Sequence, residues 1–190
     1  MEISSQRIKL RLFDDSDLDL FIELSVSTDI MAHVRETMTV EEAKAAFEIR
    51  KQPWTIQSGG WLSLTIIECA TDQKLGSIGL KIVDSNAKIA EVGFLLRTAA
   101  QGRGFASESL KLVCDYAFDS FKLNKIVGFC SAANTASAKL MEKLGFVREG
   151  CLRQNTFINN GYVDDYVYGL CLSDKSGLSD KSSQSDNSDK

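Results

Sequence analysis

The 190-residue sequence has one histidine and one proline. A lone His33 cannot build a multi-histidine metal centre, and with only Pro53 to interrupt them, long helices and strands are permitted. The five cysteines, Cys69, Cys114, Cys130, Cys151 and Cys171, are odd in number and form no Cys-x-x-Cys pair. Their spacing points neither to a zinc site nor to a disulfide framework. Most lie in apolar runs, where cysteine behaves as a small hydrophobe, a usage that fits a reducing compartment. Positive charge is also short: 22 Lys and Arg face 26 Asp and Glu, for a net charge of −4. That balance suits a phosphate polymer poorly, so no direct nucleic-acid binding is expected, although one basic loop can still grip a small anion. No apolar run approaches the roughly 20 residues needed to cross a bilayer. The start, Met1-Glu2-Ile3-Ser4-Ser5, lacks a basic stretch followed by an apolar one. The expectation is a cytoplasmic protein with no membrane partner.

What is present is an ordinary globular composition, 44% hydrophobic and 25% charged. The length suits one domain with a full core. From Ser173 the composition turns to Ser, Asp, Lys, Gln and Asn, and Leu178-Ser179-Asp180-Lys181 echoes Leu172-Ser173-Asp174-Lys175. Such a segment has almost nothing to bury. The expectation is a single domain over residues 1–172 and a disordered tail over 173–190.

Hydrophobic periodicity divides the domain. Ile8, Leu10 and Leu12 alternate with basic residues, which predicts a strand over Arg7 to Phe13. Asp14, Asp15 and Ser16 can cap a helix carrying Leu18, Phe21 and Ile22 on one face. Thr39-Val40-Glu41-Glu42 is a capping box ahead of Ala43, Ala46 and Phe47 at helical spacing, and Pro53 would help stop that helix. Three strand-like runs follow, Trp61 to Glu68, Leu75 to Val83 and Ile89 to Arg97, separated by short polar turns that suggest an antiparallel meander. Leu110, Val113, Cys114, Ala117, Phe118 and Phe121 then mark a helix from about Gly104. Lys125 to Ser131 reads as a strand. Asn134 caps a short helix bearing Leu140, Met141 and Leu144, ended by Gly145. Phe146 to Arg153 and Tyr162 to Leu172 are the last strands. The order predicts an α/β (α+β) fold, with a mixed, mostly antiparallel sheet of about seven strands and helices on both faces. The strand–helix–strand unit from Glu91 to Ser131 is expected to be a parallel crossover.

Gln101-Gly102-Arg103-Gly104-Phe105-Ala106 lies directly between a predicted strand and a predicted helix. Helix N-termini expose free N–H groups and a partial positive charge, and glycine lets backbone approach an anion closely. Arg103 adds a charge. The loop alone suits a pyrophosphate, or is a structural loop with two glycines. A Walker loop needs Gly-Lys-Ser/Thr, which is absent. A Rossmann fingerprint needs Gly or Ala where Ser107 stands.

Several spaced segments carry a family resemblance. Gln101-x-x-Gly104-x-Ala106 resembles the (Arg/Gln)-x-x-Gly-x-(Gly/Ala) signature of the GCN5-related N-acetyltransferases. Arg7-Ile8-Lys9-Leu10-Arg11 and Glu91-Val92-Gly93-Phe94 resemble the first and central strands of the RimJ/RimL-like branch. Asn134-Thr135-Ala136-Ser137 with Glu142-Lys143-Leu144-Gly145-Phe146 resembles its second cofactor segment. Glu149-Gly150-Cys151-Leu152-Arg153 and Gly161-Tyr162-Val163-Asp164 resemble its closing strands. The likeness covers about Arg7 to Leu172.

The resemblance implies direct transfer of an acetyl group from acetyl-CoA to a primary amine, with no covalent enzyme intermediate and no metal. It assigns cofactor binding to the backbone of Gln101, Gly102, Arg103, Gly104, Phe105, Ala106 and Ser107. The splayed end of the central strand, Leu95 and Arg97, and the side chain of Asn134 are assigned to the pantetheine arm. Ser137 matches a position often assigned to protonating the leaving thiolate; many relatives use a tyrosine a few residues further on, where Lys139-Leu140-Met141-Glu142 has none. Glu91 is the candidate base, with Glu68, Asp164, Asp165 and His33 as rivals. Trp54, Trp61 and Phe157 either shape the acceptor pocket or simply pack. The acceptor implied is an amine-bearing partner, most directly a protein N-terminal α-amine, with polyamines, amino sugars and aminoglycosides open. Two other readings stay open: a module that binds acetyl-CoA without turnover, and a nicotinamide-dinucleotide protein using the same glycines. A monomer and a homodimer both fit.

Overall fold

The computed structural model of the chain describes residues 2–175. One sheet of eight strands runs in the spatial order β1-β2-β3-β4-β5-β6-β8-β7. The strands are β1 (Glu2–Ser4), β2 (Ile8–Leu12), β3 (Trp61–Glu68), β4 (Lys74–Asp84), β5 (Ile89–Leu96), β6 (Lys125–Ser131), β7 (Val147–Ile158) and β8 (Gly161–Cys171). The helices are α1 (Leu18–Val26), α2 (Thr28–Met31), α3 (Val40–Arg50), α4 (Phe105–Phe121) and α5 (Thr135–Lys143). Every strand pairing is antiparallel except β5 with β6, the parallel crossover expected through α4. The fold class is therefore the one predicted, with one strand more than expected. No helix among the described residues is long and apolar enough to cross a membrane.

Local chemistry accounts for the element ends. Thr39 accepts from the Glu42 N–H at 3.2 Å, and the Glu42 carboxylate accepts from the Thr39 N–H at 2.8 Å, the reciprocal capping box read in the sequence. Asp14 caps a single 3-10 turn, Asp15–Asp17, which runs straight into α1. Gly145, at φ 86°, ends α5 in the left-handed region that favours glycine.

Three features went unread. β1 and α2 are three and four residues long, too short to show a period. β7 extends five residues beyond the expected Arg153, through an irregularity near Gln154 (φ 51°), to a two-residue turn at Asn159-Asn160. Both turn residues have positive φ, as a tight hairpin of matching twist requires. The described residues run past the boundary expected at 172. Residues 172–175 form a helical turn, and Lys175 pairs with Asp115 and Asp119 at 3.1 and 3.2 Å. The rest of the expected tail, 176–190, lies outside the described residues.

Side chains alternate between sheet faces, so register assigns each face its helices. Leu62, Leu64, Ile66, Ile78, Leu80, Ala90 and Val92 share a face and join one buried cluster with Leu110, Val113 and Cys114 of α4. The other face carries Trp61, against which Arg50 of α3 stacks. A second cluster there joins Phe13, Phe21 of α1, and Ala43 and Phe47 of α3. The three rings sit 5.7–5.9 Å apart. Asp17, fully buried at the start of α1, is held by Arg11 at 3.0 Å and Lys74 at 2.8 Å. These pairs fasten α1 to β2 and β4.

Candidate active site

The β5–β6 ladder stops early. Its register runs from Ile89↔Lys125 to Val92↔Gly128 and no further. β5 continues to Leu96 against β4, while β6 continues to Ser131 against β8. Between the parted strands opens a cleft of about 920 Å³ that both sheet faces line.

On the α4 and α5 side, the cleft meets two helix starts. Gly102 (φ 72°) and Gly104 (φ 84°) turn the chain into α4 in a conformation that resists any side chain. Among the described residues, no acceptor pairs with the backbone N–H groups of Gly102 through Ser107, while Glu108 N–H already bonds Gly104 O at 3.1 Å. Those free donors and the α4 dipole form an anion cradle. Arg103 contributes less charge to it than the sequence suggested. Its guanidinium pairs with Glu68 at 2.8 Å and lies 4.7 Å over the Phe105 ring, and it does not line the cleft. Gln101 braces the loop, donating its side-chain N–H to Leu96 O at 3.2 Å.

At the second helix start, Asn134 accepts from the Ser137 N–H at 3.0 Å, which leaves its amide N–H₂ free. Asn134 and Ser137 both line the cleft. Ser137 hydrogen-bonds Cys130, a cleft residue that the sequence reading treated only as a small hydrophobe. Burial pushes the Cys130 thiol up to about 11, Asp165 adds to the rise, and the Ser137 bond opposes it.

On the opposite face, register aligns Trp61, Lys81 and Glu91 across β3, β4 and β5, with Ser63, Gly79 and Gly93 in the next row. The two glycines leave a slot that Trp61 fills. A Cβ at Gly79 or Gly93 would lie 3.1 or 3.4 Å from its ring. Arg50 caps the stack, 4.7 Å above the indole centroid. Glu91 lines the cleft half-buried, without a hydrogen-bond or ion-pair partner among the described residues. Burial raises its pKa, and Lys81 and Arg50 offset part of the rise. The far wall comes from the loop after α2, with His33, Val34 and Arg35. Glu36 of that loop accepts from the Asn159 N–H at 2.6 Å and so ties it to the tip of the β7–β8 hairpin.

The remaining candidates divide. Asp165 lines the cleft but accepts from Asn155 at 2.8 Å and from Thr156. Glu68 pairs with Arg103, and Asp164 accepts from Gln154 N–H at 2.8 Å; neither lines the cleft. Arg97, expected to offer free backbone groups at the splayed strand, is otherwise engaged in the structure. Its N–H donates to Leu75 O, its C=O accepts from Ala100 N–H, and its guanidinium pairs with Glu23 at 2.6 Å, so its groups are already engaged away from the cleft. Leu95, one row past Gly93, does line it. Trp61 shapes the cleft, whereas Trp54 packs on Phe121 and Phe157 on Tyr162 elsewhere. Arg50 and Arg35 were missed because their helix and loop come near β5 only in three dimensions. No cluster of His, Cys, Asp or Glu among the described residues could hold a metal.

A sheet opened between its two parallel strands, with an anion cradle at the helix that joins them, defines a class of acyl-transfer domain. The chain belongs to the acetyltransferase (GNAT) domain family, which matches residues 7–147. It is an N-acetyltransferase. An uncharacterized N-acetyltransferase, p20, of Bacillus licheniformis is 28% identical over 91% of this chain and 97% of its own length. The ribosomal-protein-serine acetyltransferase of Escherichia coli K12 is 32% identical over 53% of this chain and 56% of its own length. The spermidine N-acetyltransferase of Vibrio cholerae, solved with CoA and spermine, shares the fold at a TM-score of 0.79. It is 23% identical, over 90% of this chain and 98% of that one.

Proposed function

We propose that this chain transfers an acetyl group from acetyl-CoA directly to the α-amine at a protein N-terminus, in the manner of the RimJ/RimL-like branch. One observation carries the reading: the gap between β5 and β6 joins a face bearing Glu91 to a face bearing Ser137. The residues fit the donor. Free N–H groups from Gly102 to Ser107 suit a pyrophosphate, and the unpaired edge of β5 beyond Val92 suits an amide-bearing arm, with Leu95 and Asn134 beside it. When bound, acetyl-CoA supplies an activated thioester. Glu91, its pKa raised by burial, takes the proton from the acceptor nitrogen. Ser137 presents its hydroxyl at the far side of the gap, where it can pass a proton to the departing sulfur. Cys130 beside it keeps its own proton, since its thiol sits near 11.

The α-amine reading is supported by the relative from Escherichia coli named for ribosomal-protein serine acetylation. A small-amine acceptor is the second reading, supported by the fold neighbour named for spermidine. The test is thiol release from acetyl-CoA against a panel of peptides, polyamines and aminoglycosides. Turnover with peptides bearing a free N-terminus, and none with N-formylated ones, is the expected result. No thiol release with any amine would leave a binding module without turnover. In that case Glu91→Gln with Ser137→Ala would spare cellular function while Gly104→Trp abolished it.

A further inference from the structure

Two arginines line the acceptor side of the cleft without forming an ion pair among the described residues. Arg50 and Arg35 both line it, and neither has a carboxylate oxygen within 4.0 Å among the described residues. Among the described residues, by contrast, Arg7, Arg11, Arg97 and Arg103 each pair with a carboxylate. Arg50 is held in place by stacking rather than by charge. Its guanidinium lies over Trp61 at 4.7 Å, and one of its nitrogens would stand 3.7 Å from a Cβ at Gly79. A stacked guanidinium keeps its in-plane N–H donors available. Burial lowers the pKa of both arginines; at Arg50 the neighbouring Arg35 lowers it further and Glu91 opposes the fall, which leaves it at about 10. Two guanidiniums on one wall of a cleft, one half-buried and one exposed, and neither ion-paired among the described residues, describe a site suited to an anion.

The register fixes where that anion would lie relative to the base. Gly79 pairs with Gly93, and Glu91 is two residues along β5 on the same face. Two residues of strand span about 6.6 Å. A molecule can therefore reach Glu91 with its nitrogen and Arg50 with an anionic oxygen only a few bonds away. The other charged or titratable groups facing this space are His33, Lys81, and Asp165, the last already bonded to Asn155 and Thr156. A polyamine would bring positive charge against both arginines.

We infer that the acceptor is an amine carrying a carboxylate close to its nitrogen, with Arg50 and Arg35 clamping the carboxylate while the nitrogen faces Glu91. This rests on the acetyltransferase reading and narrows its substrate. Two sources share the chemistry: a free amino acid, and a peptide with an acidic residue next to its N-terminus.

Steady-state turnover with acetyl-CoA separates them. The panel comprises free serine, serinamide, a Ser-Glu peptide, its Ser-Gln counterpart, and spermidine. A charge-assisted clamp predicts that one carboxylate-bearing member exceeds its neutral counterpart by about 10- to 100-fold in kcat/KM. Preference for serine over serinamide indicates the amino acid, and preference for Ser-Glu over Ser-Gln indicates the peptide. Arg50→Ala should erase that preference while leaving the KM for acetyl-CoA unchanged, and Arg50→Lys should restore part of it. Should Arg50→Ala fail to fold, the exposed Arg35→Glu decides, because it should lower turnover of the anionic acceptor and improve that of spermidine. Thiol release with no preference for carboxylates, or with spermidine favoured by the unaltered chain, overturns the inference and leaves the acetyltransferase reading standing. Absence of thiol release with every amine overturns the underlying reading instead.

Discussion

Val92 and Gly128 are the last residues paired in the parallel β5–β6 ladder, and Gly93 and Phe129 beyond them no longer face each other. A parallel pair that simply ended would leave buried N–H and C=O groups without partners, at a cost of several kcal/mol. Here the parted edges border an open cleft instead. The parting also lets one bound molecule touch both faces of the sheet.

Hydrogen exchange should report that edge. Addition of CoA should slow amide exchange in residues 93–96 and 102–107 by tenfold or more, an order-of-magnitude expectation for donors newly engaged in a bound state. The β7–β8 hairpin should be unaffected. Protection confined to other segments would remove the cofactor assignment from this cleft.

Gly104→Val forces a β-branched residue to φ 84°, where the nearest obstacle to a Cβ is the Arg7 guanidinium at 3.4 Å. Left-handed backbone costs an L-residue about 1–2 kcal/mol. The cheapest relief is to rotate the loop, which misaims its donors. The expected outcome is a KM for acetyl-CoA raised about tenfold, with the KM for the amine little changed. Initial-rate kinetics with each substrate varied in turn checks it.

Glu91→Gln should lower kcat/KM by about 10²- to 10³-fold, the usual contribution of a positioned base. The pH profile carries the sign. Burial raises the Glu91 pKa above its ordinary 4.5, so activity should fall as pH drops through that raised value. Stability should move oppositely. A carboxyl whose folded pKa is raised contributes its full stability below its unfolded pKa and loses it as pH rises through the folded one. Glu91→Gln should therefore melt at a higher temperature than the unaltered chain at neutral pH. A variant that loses activity and melts lower points to Glu91 as a structural residue.

Asp17 offers the opposite case. Fully buried between Arg11 and Lys74, its pKa is lowered by its hydrogen bonds to both, despite burial, the largest single influence, acting upward. Its contribution to stability is present above its unfolded pKa, near 3.8, and is lost as pH falls through the lower folded one. Asp17→Asn leaves two cations facing a neutral amide and should cost about 3–5 kcal/mol in chemical denaturation. Catalytic constants measured on the remaining folded protein should be near those of the unaltered chain.

Most of the fold was legible because long elements carry their own period. The α4 helix repeats its apolar side chains from Leu110 to Phe118, and β3 to β5 are separated by polar turns that only a meander uses. The site was legible in part, for the same local reason. A glycine pair ahead of a helix and an asparagine three residues before a serine are short-range patterns, and both line the cleft in the structure. The place of Arg97 in the chain, next to the splayed strand, says nothing about which way its groups point. The bond from its N–H to Leu75 O turns them away.

Local pattern sufficed for the long elements and the two helix starts, since each depends on residues within a few positions of one another, and the family resemblance was the sum of several such segments. Packing alone decided that Arg50 would stack on Trp61, that two glycines on different strands would align beneath that ring, and that Glu91 would lose water on one face while Cys130 met Ser137 on the other. Arg50 and Trp61 lie 11 positions apart, Gly79 and Gly93 14, and Trp61 and Gly93 32. Burial and electrostatic coupling depend on distance through space, which for such pairs only the folded chain sets.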